Sequence, residues 1–224
     1  MPTLYVVATP IGNLSDISER AKATLSSVDT ILCEDTRVTG KLLNAYKIDT
    51  PMLSYHQHSG QMKTKKIIEL LEEGKDLALV TDAGTPTISD PGGRLVEELV
   101  GHFGNELTIV PIPGASAVIS ALSVSGFPAD EYIFLGFAPH KKGRQTFFDR
   151  VASIKSTIVL YESTHRIFKT LAEIDARCPD RLLMVGRELT KMYETLYRGT
   201  ASQVTAALES SSIKGEFVIV IRSL

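Results

Sequence analysis

The chain has 224 residues, of which 43% are hydrophobic and 22% charged, proportions typical of a globular protein and not of a disordered one. Its formal net charge of −2 excludes a uniformly cationic surface, so any contact with nucleic acid must come from a local basic patch. Cys33 and Cys178 are far apart and form no CxxC pair, which argues against a zinc ribbon or a disulfide framework and favours a reducing, cytoplasmic setting.

The first half of the chain alternates short apolar runs with segments of helical periodicity. Asp16 or Ser15 is the predicted N-cap of the first helix, and Gly74 is predicted to end the third. Strands that alternate with helices and are apolar throughout predict a largely parallel sheet, buried on both faces. The predicted order is strand 4–8, helix 18–27, strand 30–33, helix 39–46, strand 52–55, helix 63–73, strand 77–81, a helix around 95–100 and strand 107–112.

The run Pro111-Ile112-Pro113-Gly114 marks a seam, after which a new helix begins near Ser116. We predict two α/β lobes, 1–113 and 114–224, with a ligand cleft between them. The second lobe is predicted to contain strand 132–136, helix 146–154, strand 157–161, helix 167–176, strand 181–185, helix 202–208 and strand 216–221. The first residues, which have no basic lead and no small-residue cleavage site, do not predict a signal peptide, and no apolar run is long enough to span a bilayer.

Three glycine- and proline-containing turns follow predicted strands of the first lobe. Thr9-Pro10-Ile11-Gly12-Asn13 could bring backbone close to a ligand, although an ordinary tight turn is the simpler interpretation and GxGxxG is absent. The loop 82–93 (DAGTPTISDPGG) could hold open N–H groups for a carboxylate or ribose, or be a long connection in which Pro91 begins the next helix. The small residues of 113–117 suit an aromatic ligand or a compact linker equally.

Ionisable side chains also follow predicted strands, in the segments 33–37 (CEDTR), 161–166 (YESTHR) and 186–191 (GRELTK). Open α/β sheets bind ligands at the carboxyl ends of their strands, so these loops favour a shared cleft over solvated turns. Lys141, Lys142 and Arg144 form a basic cluster that is either a solvated turn or a phosphate-binding patch. His56 and His58 lack a third metal ligand, so no metal site is predicted.

Nine blocks spread along nearly the whole chain resemble the family of ribosomal RNA small subunit methyltransferase I, within the tetrapyrrole-methylase superfamily. CEDTR, YESTHR and RELTK distinguish this branch from the tetrapyrrole enzymes and diphthine synthase. The blocks are ATPIGNLSDISERA, ILCEDTRVTGKLL, SYHQHS, LVTDAGTPTISDPGGRLV, PIPGASAVISAL, IFLGFAPHKKGR, VLYESTHRI, GRELTKMYE and KGEFVIVI.

The resemblance implies a homodimer of two-lobed subunits that bind S-adenosylmethionine in the cleft. It implies methylation of the ribose 2′-hydroxyl of a cytidine in the decoding region of 16S rRNA. Longer members continue past the end of this chain into a C-terminal helical region. The residues it implies for cofactor binding are Pro10, Asp82, Ala83, Gly84, Thr85, Pro86, Ile88, Ala115, Ser116, Ala117, Tyr161 and Gly186.

Methyl transfer from a sulfonium needs alignment of oxygen, carbon and sulfur and no metal. A carboxylate or a neutral lysine could remove the hydroxyl proton, or positioning alone could suffice. The candidates for that base, not ranked by sequence, are Glu34, Asp35, Glu162, Glu188 and Lys191. Arg37, Arg166 and Arg187 are candidates for phosphate contacts, together with Lys141, Lys142 and Arg144. The alternatives are a tetrapyrrole C-methyltransferase of the same fold and a non-catalytic assembly factor that binds RNA, which the net charge of −2 disfavours.

Overall fold

The computed structural model describes residues 1–56, 61–90 and 92–224, so the predictions made for His58 and Pro91 lie outside the described residues. The chain divides into two compact units, Met1–Ser116 and Ala117–Leu224. The lobe boundary predicted after residue 113 remains a sequence-based prediction. Within the described ranges, every helix is too short or too polar to cross a bilayer.

The first unit contains a parallel five-stranded sheet of order β3-β2-β4-β1-β5. Its elements are β1 (Thr3–Val7), α1 (Glu19–Ser27), β2 (Thr30–Cys33), α2 (Thr36–Ala45), β3 (Met52–Ser54), α3 (Gln61–Glu72), β4 (Leu77–Leu79), α4 (Gly92–Phe103) and β5 (Thr108–Ile112). Because every strand runs the same way, the loops after β1, β2, β4 and β5 all leave the sheet at one edge.

Both faces of this sheet are covered by helices. Leu4 and Leu77 pack with apolar residues of α3 and α4 on one face. Ile31 and Ala78 pack with residues of α1 and α2 on the other. A strand buried on both sides must be apolar at every position, which is why β2 and β4 read as continuous apolar runs. The predicted parallel, doubly covered sheet is confirmed for this unit.

Helix ends in the first unit depend on particular side chains. Ser18 is the N-cap of α1 and accepts a hydrogen bond from the Ala21 N–H at 3.1 Å, so the predicted caps Asp16 and Ser15 were wrong. They belong to a preceding 3₁₀ turn, Leu14–Asp16. Gly74 ends α3 as predicted, with a φ of +81° that glycine adopts without strain.

The second unit contains a mixed five-stranded sheet of order β6-β7-β10-β8-β9. Only the pair of β6 and β7 is parallel, so the parallel arrangement predicted for the first half of the chain does not extend to this unit. Its elements are α5 (Ala117–Ser125), β6 (Tyr132–Phe137), α6 (Arg144–Ser153), β7 (Thr157–Ser163), α7 (Ile167–Asp175), β8 (Leu183–Arg187), β9 (Thr195–Gly199), α8 (Ala201–Glu209) and β10 (Glu216–Ile221).

β10 lies in the middle of this sheet, antiparallel to both β7 and β8. β7 and β8 therefore run in the same direction, and their carboxyl ends meet at one edge beside the start of β10. Phe217 pairs with Glu162 on one side and with Arg187 on the other. The loops YESTHR and GRELTK consequently leave the second sheet at the same edge.

Candidate functional site

Three loops at the carboxyl edge of the first sheet are hydrogen-bonded to one another. The N–H of Thr9, after β1, donates to the Gly84 carbonyl at 2.9 Å, and the Gly84 N–H donates back at 3.1 Å. The Thr85 hydroxyl donates to the carbonyl of Ala115, after β5, at 3.2 Å. The turns singled out in the sequence after β1, β4 and β5 therefore form one continuous surface within this unit.

Glycine is required where these loops approach one another. Gly84 has a φ of +90°, and a Cβ there would lie 3.4 Å from Cγ2 of Ile11. A Cβ on Gly114 would lie only 3.0 Å from the Cβ of Ala8. A side chain at Gly114 would push the two loops apart, and one at Gly84 would be strained by its positive φ, so both positions favour glycine.

The predicted cofactor-binding residues of this unit differ in exposure. Pro10, Gly84 and Pro86 are buried, whereas the Ile88 side chain is 49% exposed. Asp82 and Ala83 are also exposed, whereas Thr85, Ala115 and Ser116 are half-buried. An exposed carboxylate and an exposed aliphatic side chain beside glycine-containing turns are suited to a ribose and a flat base, respectively.

The loop between β4 and α4 is held in an unusual backbone conformation. Thr87 and Ser89 have φ values of +75° and +56°, which cost free energy for residues with a Cβ. Oδ1 of Asp90 compensates by accepting hydrogen bonds from the N–H groups of Thr87 at 3.3 Å and Gly92 at 2.8 Å. Strained residues fixed by a side chain are typical of a loop whose shape serves a ligand.

Glu34 follows β2 and lies against this loop. Its Oε1 accepts a hydrogen bond from the Thr81 hydroxyl at 3.3 Å, and its carboxyl is also hydrogen-bonded to that of Asp90. Burial, the hydrogen bond with Asp90 and the charges of Asp90 and Asp82 raise the pKa of Glu34 to about 8, against a smaller lowering effect of Thr81. Glu34 therefore exchanges its proton near physiological pH, as an acid–base residue must.

Asp35 differs sharply from its neighbour. It is the N-cap of α2 and accepts a hydrogen bond from the Arg37 N–H at 2.8 Å. Its Oδ2 lies 2.6 Å from Nη2 of Arg37, whose side chain is 86% exposed. These bonds and the Arg37 charge lower the pKa of Asp35 to about 2, so its carboxylate is a poor proton acceptor near neutral pH.

In the second unit, Glu162 is 1% exposed and its oxygens are already satisfied by protein donors. Oε1 accepts from the Ser163 N–H and lies 2.8 Å from Nη2 of Arg166, and Oε2 accepts from the Thr170 hydroxyl at 2.6 Å. A base must reach the proton it removes, so this environment argues against Glu162 as the proton acceptor.

Three of the predicted phosphate-binding arginines point into the second unit. Arg144 is 4% exposed and donates to the Pro139 carbonyl at 3.0 Å. The guanidinium of Arg166 donates to the Ala138 carbonyl at 2.8 Å. Arg187 is 8% exposed, with Nε 2.9 Å from the carbonyl of Lys214. These contacts argue against the phosphate contacts predicted for the three arginines. Lys141 and Lys142, by contrast, are exposed.

Glu188 and Lys191 neutralise each other at the end of β8. Oε1 of Glu188 accepts from Nζ of Lys191 and from the Glu216 N–H, both at 2.9 Å. Burial raises the pKa of Glu188, but its bonds to Lys191 and Glu216 outweigh that effect and lower it overall. Burial lowers the pKa of Lys191, but its hydrogen bonds to Glu216 and Glu188 and their charges outweigh that effect and raise it overall. Lys191 stays protonated, which argues against its predicted use as a neutral base.

Tyr161 and Gly186 lie on β7 and β8 of the second sheet. The ring of Tyr161 packs against those of Phe134 and Phe137, with centroids 4.9 and 5.5 Å apart. A Cβ on Gly186 would lie 2.9 Å from Cδ2 of Leu189, so glycine there lets the following loop fold back on the strand. Ala117 is the first residue of α5. Their predicted roles in cofactor binding remain predictions.

The sequence did not predict that the hydroxyl groups of Thr9, Thr81 and Thr170 hydrogen-bond to groups in other loops and strands. Thr9 was within a motif that the sequence had singled out, so its position after β1 could have marked it. Thr170 carries no local signal, because its partners come from other elements. Among the described residues, no group of three or more histidine, cysteine, aspartate or glutamate side chains is arranged to hold a metal ion.

Solved structures share this fold over nearly their whole length. Cobalt precorrin-4 methyltransferase matches with a TM-score of 0.70 at 20% identity, covering 98% of this chain and 94% of its own. Diphthine synthase matches with a TM-score of 0.73 at 13% identity, covering 98% and 90%. The family described as Tetrapyrrole (Corrin/Porphyrin) Methylases matches residues 3–205, which defines the class.

Relatives with higher sequence identity show which family within that class the chain belongs to. A Synechocystis protein is 46% identical over 99% of this chain and 79% of its own, and a Bacillus subtilis protein 45% over 99% and 75%. A Thermotoga maritima protein is 44% identical over 99% of this chain and 98% of its own. All three are named Ribosomal RNA small subunit methyltransferase I. The chain belongs to that family, which confirms the resemblance identified from the sequence motifs.

Proposed function

We propose that the chain is an S-adenosylmethionine-dependent methyltransferase that modifies the ribose 2′-hydroxyl of a cytidine in 16S rRNA of the small ribosomal subunit. The observation that carries this proposal is the identity of 44–46% over nearly the full chain to relatives named for the small-subunit RNA. A uroporphyrin-III C-methyltransferase and cobalt precorrin-4 methyltransferase are 16% and 20% identical to this chain and support only the fold. We further propose a cytoplasmic homodimer, as the family resemblance implies.

The loop surface of the first unit fits S-adenosylmethionine. When bound, that cofactor supplies a methyl group on a positively charged sulfur, which needs no further activation by the protein. A uroporphyrin-III C-methyltransferase of the same fold, with a TM-score of 0.66, was solved with S-adenosylhomocysteine. Gly84 and Gly114 leave the backbone free of side chains, while Asp82 and Ile88 offer a carboxylate and an apolar contact. We propose that these loops hold the cofactor.

Glu34 is the proposed proton acceptor for the ribose hydroxyl. The other predicted candidates are engaged elsewhere, by Arg37 for Asp35, by buried donors for Glu162, and by mutual pairing for Glu188 and Lys191. The pKa of Glu34 is raised to about 8, near the working pH. A base whose pKa is near the operating pH is both sufficiently strong and sufficiently populated in its deprotonated form.

The proposed RNA-phosphate contacts are Lys141, Lys142 and Arg37, whose side chains are exposed. The two lysines lie in a stretch, residues 138–148, that contains no aspartate or glutamate. Local positive charge without neighbouring carboxylates attracts a polyanion even when the net charge of the protein is slightly negative.

Replacing both Lys141 and Lys142 by alanine is expected to weaken binding to the small subunit about 10-fold and to reduce the slope of log affinity against log salt by about 1–2, because two phosphate contacts are lost. Filter binding across a salt series measures both quantities. The Lys65→Ala, Lys66→Ala double variant is the matched control, since it removes two exposed lysines from α3. Equal losses in the two double variants would show only a general charge effect.

The proposed function is tested by incubating the chain with labelled S-adenosylmethionine and small subunits that lack the modification, then mapping the labelled ribose. Label on a single cytidine 2′-oxygen is the expected result. Label on an RNA base would keep the enzyme class and overturn the ribose target. Label only on a porphyrin ring would move the chain to tetrapyrrole methylation, and failure to bind the cofactor by calorimetry would favour an assembly factor.

A further inference from the structure

The loop between β6 and α6, residues 138–143, is here called the basic loop. His140, Lys141 and Lys142 are exposed on it. Two arginines hold its first two carbonyl groups: Nη1 of Arg166 donates to Ala138 at 2.8 Å, and Nη1 of Arg144 donates to Pro139 at 3.0 Å. The base of the loop is thereby fixed from inside the unit, while its lysines face solvent.

Both arginines converge on Glu162. Arg166 reaches its Oε1 directly at 2.8 Å. Arg144 reaches it through Thr170, whose hydroxyl accepts from Nη2 of Arg144 at 2.8 Å and donates to Oε2 of Glu162 at 2.6 Å. Glu162 and Thr170 are 1% and 0% exposed, so water does not replace these bonds if they break.

The chemistry of this buried set suits anchoring and not proton transfer. One carboxylate faces two guanidinium groups, and Glu173 adds a second carboxylate 3.7 Å from Nε of Arg144. Aromatic rings lie against both guanidinium groups, Phe148 with its centroid 4.9 Å from Cζ of Arg144 and Phe137 with its centroid 5.7 Å from Cζ of Arg166. A planar cation stacked on a ring and bonded at both ends has little freedom to move.

We propose that Glu162 and Thr170 are positioning residues that hold the basic loop in the conformation in which Lys141 and Lys142 meet RNA phosphates. The inference rests on the proposed function, because it takes RNA as the partner of the lysines. A loop already held in its binding conformation loses less conformational entropy on association, so the anchor increases affinity for RNA without touching it.

Thr170→Val tests the anchor, because it removes one hydroxyl at nearly constant volume. Thr170→Ser keeps the hydroxyl and is the matched control. Thr170→Val is expected to raise KM for small subunits about 5-fold, with kcat and the Kd for S-adenosylmethionine within about 2-fold, and Thr170→Ser is expected to restore KM. Hydrogen exchange at residues 138–143 is expected to accelerate in Thr170→Val only, a readout that does not depend on the substrate.

A merely structural role would raise KM whether or not the lysines are present. In the Lys141→Ala, Lys142→Ala background, Thr170→Val is therefore expected to have no further effect on KM. Unchanged KM in Thr170→Val, or an equal effect in both backgrounds, would overturn the proposal. If Thr170→Val does not fold, Arg166→Gln gives the same test, because it removes the guanidinium that links Glu162 to the basic loop. Absence of methyl transfer by the unaltered chain would instead refute the proposed function.

Discussion

Replacing Glu34 by glutamine is expected to lower kcat about 100-fold or more, because the ribose hydroxyl loses the group that accepts its proton. Glutamine preserves the shape of the side chain and can still hydrogen-bond to Thr81, so binding of S-adenosylmethionine should stay within about 2-fold. Single-turnover methyl transfer with saturating cofactor measures the chemical step. Glu34→Asp, which keeps the carboxylate on a shorter arm, should retain more activity than Glu34→Gln.

The raised pKa of Glu34 also predicts the direction in which the rate of methyl transfer changes with pH. A base with a pKa of about 8 is protonated and inactive below that pH, so the rate should rise with pH and level off above about 8. Glu34→Gln should abolish that rise. The stability of the folded chain should instead decrease as the pH rises. Between pH 4.5 and about 8 the folded chain keeps a proton that the unfolded chain has released, so the free energy of unfolding falls as pH rises through this window. An unchanged rate profile in Glu34→Gln would exclude Glu34 as the base.

Replacing Gly84 by alanine is expected to weaken binding of S-adenosylmethionine about 10-fold and to lower the free energy of unfolding by about 1–2 kcal/mol. The φ of +90° is unfavourable for alanine, and the new Cβ would lie in contact with Ile11 where the loops after β1 and β4 meet, so relief of the strain would shift these loops. Calorimetric titration measures the affinity, and denaturant unfolding measures the stability.

Gly74→Ala is the control for this effect. Gly74 has a similar φ of +81°, but a Cβ there meets no atom within 4 Å, and the residue ends α3 away from the loop surface. Both alanine variants should lose comparable stability, and only Gly84→Ala should lose cofactor affinity. If both lost affinity equally, backbone strain alone would explain the result, and the loops after β1 and β4 would not form the cofactor surface.

The parallel sheet of the first unit could be predicted because its strands are buried on both faces and therefore carry a strong apolar signal. β2 was predicted with its observed bounds, Thr30–Cys33. The second sheet could not be predicted in the same way. The sequence of β10 predicts an apolar strand, but it does not indicate that this strand lies between β7 and β8 and runs antiparallel to both. β9 was missed because it follows a polar loop and is only half-buried.

The sequence predicted which residues could act as the base, but it could not predict which of them is best suited to that role. The sequence located five ionisable residues after strands, but it did not show which side chains each of them meets in the folded chain. Glu34 and Asp35 are adjacent, but Asp90 from another loop faces one and Arg37 the other. The burial of Arg144 and Glu162 was not predicted, because it arises only when α6, α7 and β7 pack together.

The hydrogen bonds among the loops after β1, β4 and β5 also affect how the chain matures. Thr9, Gly84 and Ala115 span almost the entire first unit, so their surface is complete only after the last strand of that sheet has been added. A fragment truncated before β5 lacks the Ala115 carbonyl and should not bind the cofactor at full affinity. If these loops hold the cofactor as proposed, its binding during synthesis would select finished first units and would stabilise them by mass action.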